Sequence, residues 1–75
     1  MEINDIIVLD NNERYLLLKK MTENENNYFL AEKDDKEDKK IIVLKEVHSK
    51  DETYVEIIKD LKLKNYYLEK LKDAK

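Results

Sequence analysis

The 75-residue chain contains neither glycine nor proline. Every turn must therefore be built from residues that carry a Cβ and an N–H. Asn and Asp tolerate the left-handed backbone conformation best among such residues, so turns are expected where they cluster. The same absence removes every phosphate-binding loop that needs a bare backbone, including P-loops and dinucleotide fingerprints. Cysteine is also missing, so there is no disulfide, thiolate nucleophile or zinc–thiolate site.

At this length one domain is expected, and folding buries only about 60–65% of the unfolded surface. Association into dimers is a common remedy for so small a core. The first residues, Met1-Glu2-Ile3-Asn4-Asp5, lack the basic and apolar regions of a signal peptide. The longest apolar runs, such as Ile6–Leu9 and Ile41–Leu44, fall far short of the roughly 20 residues of a membrane span. A cytoplasmic protein with no membrane contact is the expectation.

Net charge is −3, unevenly divided: residues 1–58 carry −6 and residues 59–75 carry +3. An acidic body repels phosphate backbones, which counts against general nucleic-acid binding.

Polar clusters divide the chain into short apolar segments. Segments 3–9, 14–21, 27–33, 40–48 and 53–58 are rich in β-branched and aromatic residues, and turn-forming residues lie between them. Such spacing predicts consecutive antiparallel strands. In the fourth, Ile41, Val43, Lys45 and Val47 share one face, and Ile42, Leu44, Glu46 and His48 the other. Its first half is apolar on both faces, as are parts of the first two segments. A flat sheet with one wet face has no use for this. The predicted fold is α+β: a five-stranded antiparallel meander, strongly curved or an SH3-like small barrel, with one C-terminal helix.

The period changes after Asp60. Leu63, Tyr67, Leu68 and Leu71 form one apolar stripe, which predicts a helix over residues 61–73. Asp60 is placed to cap it, and Lys70, Lys72 and Lys75 suit the negative end of its dipole. So short a helix needs the sheet beneath it.

Candidate chemistry is sparse. His48 is the only histidine, and Ser49, Thr22 and Thr53 are the only aliphatic hydroxyls. Ser49, next in sequence, points away from His48 on a strand, so His48 reads as a surface histidine at a strand end. Asp34, Asp35, Glu37 and Asp38 are offset by Lys33, Lys36, Lys39 and Lys40, which predicts a solvated loop rather than a calcium site. No catalytic residue, cofactor or metal site is expected, and the chain reads as a non-enzyme. Candidate partner contacts are Tyr66, flanked by Lys62 and Lys70 on the helix, and Tyr15 beside Arg14 on the second strand.

The runs Asn4–Leu9, Arg14–Leu18, Asn27–Leu30, Ile41–Val47 and Tyr54–Ile58 resemble short proteins of low-GC Gram-positive bacteria and their phages. They are similar to the YrzB-like domains of unknown function, although the basic tail and the glycine-free first turn depart from that pattern. The resemblance implies an acidic five-strand layout with a helix-forming tail, carries no established activity onto any residue, and leaves function open. The opening Asp5–Leu9, turn, Tyr15–Leu18 is also similar to the first hairpin of SH3-like barrels. Fold likeness carries no function.

The leading functional expectation is a small non-catalytic module that binds an unidentified protein through a strand edge or the helix flank; a homodimer is its simplest version. One alternative is a phage or mobile-element inhibitor that docks its acidic surface on a host protein. Another is a weak nucleic-acid-binding small barrel using Tyr15, Tyr28 and the helix lysines.

Overall fold

The structure, a computed structural model, describes residues 1–74. Five strands follow one another: β1 (Ile6–Val8), β2 (Arg14–Glu23), β3 (Asn26–Lys33), β4 (Ile41–Ser49) and β5 (Glu52–Ile57). The helix α1 (Leu61–Lys72) closes the chain. Each strand pairs antiparallel with its chain neighbours, in the order β1-β2-β3-β4-β5. The sheet curls into a half-barrel, and β1 and β5 share no ladder. The predicted α+β meander is the observed fold, in its open form.

Curling explains the doubly apolar strands. One face turns inward and encloses Tyr15, Leu17, Phe29, Ala31, Ile42 and Leu44, with Ile7, Leu9 and Val55 packed against them. On the other face α1 lies over Tyr28 and Val43 and inserts the fully buried Leu71 between them. Partners across the ladder keep these faces: Phe29 stands opposite Leu44, and Leu30 opposite Val43. A shift in β2 between Leu17 and Lys19 leaves Leu18 as an extra residue. Such a bulge bends its strand, and it keeps Leu17 on the inner face while Lys19 turns to the helix side.

Asparagine supplies the left-handed positions: Asn4, Asn12 and Asn24 have φ of 76°, 65° and 51°. The fourth is Glu25 at 68°. Thr22 pairs with Asn27 and Glu23 with Asn26, so the expected loop over 22–27 shrinks to Asn24–Glu25. Two positive φ values in a two-residue loop match the strand twist, and this geometry forces Glu25 into a conformation it does not favour. The first strand is shorter than its apolar run. Asn4 is left-handed and the Asp5 N–H donates to the Glu2 carbonyl at 3.2 Å, so the chain turns before β1 begins.

The helix begins as expected. The Asp60 carboxylate accepts from the N–H groups of Lys62 (2.9 Å) and Leu63 (3.2 Å). Its docking stripe differs. Tyr67, Leu68 and Leu71 pack on the sheet, whereas Leu63 is 47% exposed. Leu63 sits about 80° around the helix from Leu71, whereas Lys64 falls in line with it. Lys75 lies outside the described residues. Lys19 crosses from β2 to donate to the Ala74 carbonyl at 3.0 Å and ties the helix end to the sheet.

Candidate functional site

The open side of the half-barrel is its most distinctive surface. A groove of about 1130 Å³ runs beside β5, lined by Val8, Leu9, Asp10 and Asn11 on one wall and Thr53 to Ile57 on the other. Glu46 and His48 also line it.

Backbone geometry shows which groups of β5 remain free. The Ile58 N–H donates to the Val43 carbonyl at 2.9 Å. Strand residues alternate in the direction of their backbone groups, so Glu56 and Tyr54 also turn toward β4. Thr53, Val55 and Ile57 turn their N–H and C=O groups outward. Among the described residues, these outward groups meet no partner. Tyr54 is 45% exposed and Ile57 37% exposed along the same edge.

A polar network braces the hairpin behind this edge. Glu46 is buried on the inner face, where Asn27 Nδ2 donates to its Oε1 at 3.0 Å. His48, two residues along the same strand and therefore on the same face, meets the same oxygen through Nε2 at 2.8 Å. Its Nδ1 lies 3.1 Å from Thr53 Oγ1, the residue opposite on β5. With Nε2–H donating to the carboxylate, Nδ1 of the neutral ring accepts from the threonine hydroxyl. The Thr22 hydroxyl extends the series by donating to Asn27 Oδ1 at 2.6 Å. Burial raises the Glu46 pKa, but the hydrogen bonds from Asn27 and His48 outweigh it. The carboxyl is held below its ordinary value.

A hydroxyl, an imidazole and a carboxylate in this order form the series that activates nucleophiles. Here the imidazole is 63% exposed and the groove is open to water. His48 stands at a strand end, as its position in the sequence predicts; its links to Thr53 and Glu46 lie beyond that expectation. The signal was available: His48 and Thr53 flank a short loop and so face each other across the hairpin.

The residues proposed from sequence as partner contacts fall elsewhere. Tyr15 is 1% exposed and belongs to the inner core, which removes it from any surface. Its neighbour Arg14 points the other way and lies 4.0 Å from Asp34. Burial, with the charge of Glu13, pushes the Tyr15 hydroxyl above its ordinary pKa. Tyr66 is 45% exposed, but its hydroxyl donates to Glu23 Oε2 at 3.0 Å. Lys70 sits 5.3 Å from the centre of that ring and 4.0 Å from the same carboxylate. Tyr66 and Lys70 thus come together, but they serve the sheet–helix junction. Lys62 is exposed in the first turn of the helix.

In the charged loop, Lys33 bridges Glu13 (2.8 Å) and Asp38 (3.2 Å). These bonds raise its pKa, and the bond from Lys33 lowers that of Glu13. Among the described residues no three His, Asp or Glu side chains converge as metal ligands do, and no helix is long and apolar enough to cross a membrane.

The likeness to YrzB-like domains rests on the strand runs alone. No family model, no curated protein and no solved structure matches the chain.

Proposed function

We propose that the protein is a non-catalytic binding module of the cytoplasm that recognises another polypeptide in extended form, by strand addition at β5. One observation carries the reading: the outward N–H and C=O groups of Thr53, Val55 and Ile57 form a free edge beside an open groove. An added strand satisfies those groups, and the neighbouring side chains select it.

The helix flank is the weaker surface, because the polar groups of Tyr66 and Lys70 are already engaged with Glu23. Base stacking has little support, since Tyr15 and Tyr28 are both buried. The absence of catalysis is supported by the exposure of the His48 ring in an open groove, where water is not excluded.

The test compares partner capture by the unmodified protein and two variants. The Val55 N–H faces away from β4, so Val55→Pro blocks an added strand and leaves the β4–β5 ladder bonds in place. The expected result is a partner lost with Val55→Pro and retained with Tyr66→Ala. The opposite pattern overturns the reading.

A further inference from the structure

We propose that the strand added at β5 is β5 of a second copy of the chain, running antiparallel about a twofold axis through Val55. The inference rests on the reading of β5 as the working edge and names what occupies it.

The argument begins with parity. In an antiparallel pair, opposite residues both turn their backbone groups toward each other or both away. Two copies of β5 must therefore meet with the axis on a residue, not between residues. An axis on Tyr54 sets Glu52 opposite Glu56 of the second copy, twice. An axis on Glu56 sets that carboxylate against itself. Like charges directly opposite are destabilising. An axis on Thr53 or Ile57 pairs only the tip of the strand.

Val55 is the position left. About it, Val55 faces Val55, Thr53 faces Ile57, and Tyr54 faces Glu56. Just beyond the strand, Asp51 comes opposite Lys59. The outward groups of Thr53, Val55 and Ile57 all find partners. The register is self-complementary in backbone and apolar contact and sets no like charges directly opposite, as an isologous interface requires.

The groove beside β5 leaves space along the edge for a neighbouring strand.

The absence of cysteine makes the register directly testable. Tyr54→Cys and Glu56→Cys are prepared as separate single variants and oxidised alone and mixed. In the proposed register Tyr54 lies opposite Glu56 with Cα atoms about 4.5 Å apart, inside disulfide range. Identical positions are too far apart to bridge. The expected result is a disulfide dimer in the mixture and none in either variant alone. Light scattering of the unmodified protein should give twice the 9.1 kDa chain mass, and Val55→Pro should halve it with the far-ultraviolet circular dichroism unchanged.

Disulfide dimers of Tyr54→Cys alone or Glu56→Cys alone overturn the register. A monomer at every concentration overturns self-pairing. If that monomer still captures a foreign partner that Val55→Pro loses, the β5 edge stands as the binding surface without the dimer. If capture is indifferent to Val55→Pro, the edge reading fails as well.

Discussion

The ring of Tyr67 lies stacked on that of Tyr28, centroids 4.0 Å apart, and the Tyr67 hydroxyl donates to the Tyr28 hydroxyl at 3.0 Å. Helix and sheet thus meet through two like residues that join by both face and tip. Aromatic pairs add about 0.5–1.5 kcal/mol beyond their buried area. Tyr67→Phe keeps the stack and removes the donor, and should cost about 1 kcal/mol in urea unfolding. Tyr67→Ala should cost two to three times as much, since ring contacts go too. Equal losses would place the stabilisation in the hydroxyl alone.

The same bond makes docking sensitive to alkali. The hydrogen bond from Tyr67 to Tyr28, aided by burial, pushes Tyr67 from its ordinary 10.0 up to about 12. A raised folded value means that its stabilisation is complete below pH 10 and drains away as pH rises toward 12. Tyrosinate absorbance and helix content should therefore change together in that window. Ionisation of every tyrosine near pH 10 with no loss of helix would contradict this.

Leu71 and Leu63 should behave oppositely, although both are helix leucines. Leu71 is fully buried between Tyr28 and Val43, so Leu71→Ala opens a cavity and should cost about 2–5 kcal/mol. For a domain this small that is a large part of total stability. Leu63→Ala should stay within about 0.5 kcal/mol, as exposed substitutions do. Denaturation midpoints of the two variants decide the matter.

Glu25 offers a gain. Left-handed backbone costs a residue with a Cβ about 1–2 kcal/mol, and glycine is free of that cost. Glu25→Gly should raise stability by about 1 kcal/mol and leave the β2–β3 register unchanged. A fall in the melting midpoint would show that the Glu25 side chain contributes something the backbone argument omits.

Glu46 should govern stability in acid. Its carboxyl is held below the ordinary value of 4.5, so its contribution is complete above that pH and is lost as pH falls through the lower folded value. The unmodified protein should weaken steeply below pH 4.5. Glu46→Gln should start weaker at neutral pH and show a flatter acid limb. Parallel curves would mean that another carboxylate is responsible.

Much of this architecture is legible in residue order. The alternation Ile42, Leu44, Glu46, His48 against Ile41, Val43, Lys45, Val47 gives the faces of β4, and its doubly apolar start signals a sheet covered on both sides. Asp60 announces the helix start, because a carboxylate before an apolar period is a local signal. The lost details are tertiary. The stripe on α1 admits a rotation that includes Leu63 or excludes it, and only the position of Val43 and Tyr28 beneath selects between them. Tyr15 looks like a surface ring beside Arg14, because a strand carries opposite faces on adjacent residues. The partnership of Glu46 with Asn27 crosses the β3–β4 ladder one position beyond Tyr28 and Lys45, and it depends on a register set across the long charged loop. Glu25 at positive φ runs against its own preference, since the twist of two well-paired strands overrides it.

The strand order has a kinetic consequence. Every strand lies beside the one made just before it, so ordered structure grows by closing short loops, starting from hairpins whose ends are already close. Contacts between chain neighbours cross the folding barrier quickly. With no proline, no slow prolyl isomerisation waits behind that barrier. Refolding of the chain from denaturant should show no slow prolyl phase.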